Sequence, residues 1–315
     1  MTALFTHQFE SLSLDESQIL FGQNDKNLKL LKQFFTIDFV FRKQELMILS
    51  DDFNQKDILI HCIDLCLKHI RQTSYLDERD VIYIAQSSKE KIDDLFETQK
   101  HPIGRSFSGK PIYAKTLGQK AFIDALKKYE LVLSSGPAGT GKTYLSVVYA
   151  VGCLKRNEIN KIVLTRPVVE AGESLGFLPG DLKEKIDPYL RPLYDSLYDL
   201  LGNEQVDKMI EKGIIEIAPL AYMRGRTFDD AFVILDEAQN TTKTQMLMFL
   251  TRMGFNTRMV ITGDESQVDL KQASGLAHSK KVLRNIEDIA FVQLSRKDIV
   301  RHPLVQKIIE SYEAE

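Results

Sequence analysis

The chain has 315 residues, 43% hydrophobic and 27% charged, the proportions of a soluble globular protein with room for two domains. Its formal net charge of −3 gives no global electrostatic case for nucleic acid, so any such binding must come from a local patch. No apolar run approaches a membrane span, and MTALFTHQFESLSLDE lacks the basic start and long apolar core of a secretory signal. Three cysteines, an odd number in a large chain, point to a reduced, cytoplasmic setting.

Residues 1–100 read as a small α+β unit. THQFESLSL alternates like a strand, and GQNDKNLKLLKQFF places Leu28, Leu31 and Phe35 on one helical face. TIDFVF and ELMILS are strand-like runs separated by Arg-Lys-Gln, the pattern of a hairpin. NQKDILIHCIDLCLKHIRQ is an amphipathic helix with Asn54 as its expected cap, and two shorter helical patterns follow near 77–85 and 88–97. The order β-α-β-β-α resembles a reduced KH-type RNA-binding module, but the Gly-x-x-Gly loop of such modules becomes Gly22-Gln-Asn-Asp25 here. A packing or assembly role and direct RNA contact both remain open for this unit. His61, Cys62, Cys66 and His69 resemble a metal set, yet Cys62 and Cys66 lie four apart on an apolar face, as buried free thiols do.

Residues 101–114, rich in Pro, Gly and Ser, read as a linker. From 115 to 315 helix and strand alternate. GQKAFIDALKKYE is helical, and strand-like runs follow at 131–135, 161–165, 214–218, 232–236, 258–262 and 289–294. Most are continuous apolar runs, as in strands buried on both faces, so an α/β domain with a parallel sheet is expected.

The chemistry concentrates in Gly136-Pro137-Ala138-Gly139-Thr140-Gly141-Lys142-Thr143, which fits G-x-x-x-x-G-K-[ST] between a strand-like and a helical segment. The glycines permit dihedrals closed to other residues and keep side chains away from phosphates. The freed N–H groups and the positive helix end then favour an anion. Lys142 can reach the β- and γ-phosphates, and the Thr143 hydroxyl can ligate Mg²⁺.

AFVILDEAQN supplies the complementary half. Its buried strand ends in Asp236, suited to hold Mg²⁺, and Glu237, whose side chain points elsewhere and suits a general base for water. Gln267, after the strand in RMVITGDESQVDL, is a candidate γ-phosphate sensor, and Gln119 a candidate reader of the adenine edge. The segment lacks an Asn-Lys-x-Asp guanine signature, and Ser295-Arg-Lys-Asp298 only faintly echoes one, so ATP is expected over GTP.

GPAGTGKT, TRPVVEAGESLGFLPGDLKEKIDPYLRPLYDSL, AYMRGRTFDDAFVILDEAQN, TGDESQVDL and RKDIVRHPLVQKIIESY together resemble the PhoH-like ATPase family from about residue 110 onward. The family's ATPase domain is similar to the first RecA-like domain of superfamily 1 helicases. The resemblance implies ATP binding and hydrolysis with a link to RNA metabolism. By position it implies nucleotide contact at Gly136 to Thr143, metal handling at Asp236 and hydrolysis at Glu237.

Such helicases close a second RecA-like domain over the nucleotide, and it supplies an arginine. This chain ends about fifty residues after Gln267, so an arginine from a neighbouring subunit is expected instead. Arg296, Arg301, Arg224 and Arg226 are the candidates, in a homo-oligomeric ring such as a hexamer with ATP at subunit interfaces. Arg166 and Pro167, with Arg224, Arg226 and Lys183, are a candidate patch for RNA or another single strand, and 170–200 a candidate insertion engaging it. A P-loop kinase acting on a small molecule, and an ATP-dependent assembly switch, are the competing functions.

Overall fold

A computed structural model describes residues 4–9, 12–35, 37–42, 45–49, 52–88, 102–167, 182–270 and 272–299, with 305, 308, 311 and 312. Two compact units emerge: residues 1–101 with 115–117 and 300–315, and residues 102–114 with 118–299.

In the first unit β1 (Leu4–Gln8), β2 (Asp38–Arg42) and β3 (Glu45–Leu49) form an antiparallel sheet in the order β1-β3-β2. Leu46 and Ile48 alternate inward on β3 and pack with Leu20, Leu31, Leu59 and Ile63 from three helices. β1 overlaps the start of THQFESLSL, the stretch whose alternation suggested strand, and where that stretch ends begins one of those helices, Leu14–Phe21. Its start is fixed by a capping box: Ser13 Oγ accepts from Glu16 N at 3.1 Å, and Ser13 N donates to Glu16 Oε2 at 2.8 Å. The next helix, Lys26–Phe34, follows a turn with Asn24 and Asp25 at positive φ.

The long helix Phe53–Thr73 is capped by Asp52, not Asn54; Asp52 Oδ1 accepts from Gln55 N at 3.0 Å. Cys62 and Cys66 are buried free thiols in its apolar stripe and His61 is exposed. Beyond Glu78–Ser87, the helix expected at 88–97 lies outside the described residues except for Ser88.

The second unit opens with a small hairpin, β4 (Gly104–Arg105) and β5 (Pro111–Ile112), within the segment read as a linker. Its main sheet contains β6 (Leu131–Ser135), β7 (Lys161–Arg166), β8 (Ile215–Pro219), β9 (Ala231–Leu235), β10 (Arg258–Gly263) and β11 (Ile289–Gln293). The order is β11-β6-β10-β9-β7-β8, with every neighbour parallel. Each expected strand appears within a residue of its expected bounds.

Alternation explains why these strands read as unbroken apolar runs. Phe232 and Ile234 enter one core with Val132, Leu145 and Val260, while Val233 and Leu235 enter the other with Leu133 and Ile261. Helices cover both faces, giving an α/β architecture around a parallel sheet. β10 separates β6 from β9, so the carboxyl ends of these three strands meet along one edge of the sheet.

Candidate nucleotide site

β6 delivers the chain into the glycine-rich loop, and the helix Lys142–Lys155 carries it away. Gly139 and Gly141 hold φ of 85° and 82°, a left-handed region that penalises a Cβ. Gly136 has a second constraint: a Cβ there would lie 2.6 Å from the Leu294 carbonyl oxygen.

The loop is braced from several sides. Gly136 N donates to Gly263 O at 3.1 Å, and Thr140 Oγ1 donates to Pro137 O at 2.9 Å. Ala138 N donates to Asp264 Oδ2 at 2.9 Å, so this amide faces a carboxylate. Gln119 is buried beneath the loop and its amide donates to Thr140 O at 3.1 Å. Lys142 Nζ curls inside, donating to Gly136 O at 2.6 Å and Pro137 O at 2.9 Å.

Across β10 stand the acids. Asp236 is 4% exposed. Its Oδ1 accepts from Thr143 Oγ1 at 2.6 Å and from Thr262 Oγ1 at 2.7 Å, joining the loop helix to β10. Glu237 adopts φ 55° and ψ 37°, a left-handed conformation that costs a non-glycine residue about 1 kcal/mol or more. That turn swings its carboxylate away from Asp236. Oε1 accepts from Arg166 Nη2 at 2.8 Å and Oε2 accepts from Gln239 Nε2 at 2.5 Å.

A cleft of about 270 Å³ runs between the two halves, lined by Gly139, Lys142, Thr143, Asp236, Glu237 and Gln267 among others. Gln267 is exposed, and its backbone N donates to Asp264 O at 3.0 Å. A second cavity adjoins it beyond Glu237, with Arg166 and Gln267 on its wall as well. The donor set suits a triphosphate with a hard divalent cation. Side-chain-free turns surround the loop, a cation sits inside it, and hydroxyl and carboxylate oxygens meet at Thr143 and Asp236.

The candidate arginines separate. Arg296 lies exposed in the turn Arg296–Asp298 after β11 and does not line the cleft. Arg301 falls outside the described residues, as do the side chain of Lys183 and residues 170–181. Arg224 is exposed. Arg226 forks onto Glu216, with Nη1 and Nη2 at 2.5 and 2.8 Å from its two oxygens, and Lys161 Nζ approaches at 2.7 Å. The Arg226 hydrogen bonds, helped by Lys161 and opposed by burial, hold the Glu216 carboxyl at about 2. This ion-pair cluster sits near the amino ends of β7 and β8, away from the cleft.

Sequence reasoning passed over several supports. Asp264 and Thr262 follow from the TGD of β10 and its turn. Gln239 stands two residues beyond Glu237, and its Oε1 accepts from Asp264 N at 3.0 Å. Arg166 faces the acids rather than open solvent, its side chain 14% exposed.

The family model described as PhoH-like protein matches residues 111–313. A PhoH-like protein of Bacillus subtilis is 53% identical over 95% of this chain and 94% of that one. One from Synechocystis is 43% identical over 93% of this chain and 90% of its own length. Among solved structures, the large terminase of a thermophilic bacteriophage matches at TM-score 0.37 and 12% identity, covering 59% of this chain and 45% of that one. That likeness is too loose to add to the topology above.

Proposed function

We propose, from the premise that this chain belongs to the PhoH-like protein family, that it binds ATP and hydrolyses it with Mg²⁺ in a reaction coupled to RNA. The observation that carries the reading is the join of the loop helix to the acid strand, Thr143 Oγ1 to Asp236 Oδ1 at 2.6 Å, with Glu237 turned into the same cleft.

In this reading residues 136–143 receive the triphosphate. The Lys142 ammonium exchanges its carbonyl partners for β- and γ-phosphate oxygens, and the helix behind it adds its positive end. Thr143 and Asp236 hold the Mg²⁺, which when bound neutralises phosphate charge. Glu237 takes a proton from the attacking water, Gln267 orients that water, and Gln119 supports the loop beside the adenine. Residues 102–114 and 118–299 form the ATPase domain, and the other unit is an accessory one.

Arg296 and Arg301 are the candidates to complete the site of a neighbouring subunit in a ring. RNA engages by its phosphates at the exposed Arg224.

The decisive assay is phosphate release from Mg²⁺·ATP with and without single-stranded RNA. Glu237→Gln should retain labelled ATP while losing roughly 10²–10⁴ in turnover. A wild-type protein that neither retains ATP nor releases phosphate would overturn the reading, and turnover indifferent to RNA would remove the coupling from it.

A further inference from the structure

Arg166 ends β7 with its side chain largely buried and its guanidinium touching three groups. Nη1 donates to the Tyr189 carbonyl at 2.6 Å and Nη2 to Glu237 Oε1 at 2.8 Å. Nε lies 3.0 Å from Asp236 Oδ2 but does not aim its hydrogen there, so this contact is charge against charge without a shaped bond. The two oxygens of Asp236 therefore differ. Oδ1 is taken by the hydroxyls of Thr143 and Thr262. Oδ2 is the oxygen left to face a cation, and the guanidinium covers it.

We infer that Arg166 is the resident counter-ion of the acid pair, competing with the divalent cation for Asp236 and restraining Glu237. Two carboxylates on consecutive residues repel, and a fixed guanidinium relieves this without a metal. A divalent cation brings twice the charge but must displace Arg166 from Oδ2. Glu237 has both oxygens engaged, by Arg166 and by Gln239, and its freedom as a base depends on the same release. Through Nη1, Arg166 also ties the acids to the helix Leu182–Leu201, which carries Pro188 and Pro192. Arg166 is thus a positioning residue, acting through Asp236 and Glu237.

The inference rests on the ATPase reading, and its test keeps the two apart. Mn²⁺ binding is read by electron paramagnetic resonance for the wild type, Arg166→Gln and Arg166→Lys, with a non-hydrolysable ATP analogue. Melting is followed in parallel as Mg²⁺ is added without nucleotide. Arg166→Gln should bind Mn²⁺ about tenfold more tightly, ~1.4 kcal/mol, and gain more in Tm from Mg²⁺ than the wild type does. Arg166→Lys keeps the charge but loses the fork, and should bind about threefold more tightly; it decides the matter if the glutamine variant fails to fold. Equal or weaker Mn²⁺ binding by the variants, beside a wild type that binds normally, overturns this inference alone. A wild type that binds no Mn²⁺ with the nucleotide overturns the ATPase reading beneath it.

Discussion

Glu216→Gln tests the electrostatics of the second unit at a distance from the glycine-rich loop and its cleft. Glu216 receives both nitrogens of the Arg226 fork and the Lys161 ammonium. Its carboxyl is held at about 2 against an ordinary value of 4.5, so its contribution is present above about pH 4.5 and is lost as pH falls through about 2. A depression of that size corresponds to ~3 kcal/mol at full strength. The Arg226 and Lys161 side chains are 34% and 31% exposed, and solvent screening leaves about 1–2 kcal/mol of it. Urea titrations at pH 7 should show that loss in Glu216→Gln, with a Tm lower by about 2–8 °C. Between pH 5 and pH 3 the gap to wild type should close by roughly half, as the unfolded carboxyl takes up a proton that the folded one resists. A gap that stays constant over that range, or a variant as stable as wild type at pH 7, would refute the reasoning.

Gly136→Ala would place a methyl group 2.6 Å from Leu294 O and 2.7 Å from Leu294 Cβ, forcing β11 or the loop to retreat. We expect a loss of about 2–4 kcal/mol together with weakened ATP retention, seen by melting and by filter binding; a variant unchanged in both would show that the contact is not tight. The three cysteines are buried, with Cys66 raised by its hydrogen bond with Cys62 and by burial, and Cys153 pushed up to about 11 mainly by burial. Native protein at pH 8 should therefore react slowly with a thiol reagent and release its three equivalents only in denaturant. Rapid labelling of the native form would contradict that burial.

The parallel sheet was legible because its strands are apolar on both faces, a pattern that local sequence carries by itself. The phosphate loop was legible for a related reason, since eight contiguous residues hold its turn, its cation and its hydroxyl. Contacts reached across strands were harder to read. Asp264 bonding Ala138 N, and Arg166 covering Asp236, depend on β10 and β7 flanking β9, and that order is absent from any local window. Arg226 reads in sequence like any other arginine, and only its partner Glu216 on β8 sets it apart. The helix Leu14–Phe21 went unread, although Ser13-x-x-Glu16 marks its start directly after the alternating stretch that holds part of β1. The hairpin β4–β5 has two residues per strand, too few for alternation to register against its Pro and Gly content.

One strand works as a spacer gauge for the machinery on either side. β10 contributes Gly263 O to Gly136 N, and Thr262 Oγ1 to Asp236, so it indexes two segments about a hundred residues apart in the chain. Its tip tolerates little bulk, because a Cβ on Gly263 would come within 2.6 Å of Leu276 and 2.8 Å of Gln239 Oε1. A change at 262 or 263 would thus leave every recognisable signature letter intact while altering the distance between cradle and acids. Judged by its signatures alone, such a protein would be scored as competent although its two halves no longer met.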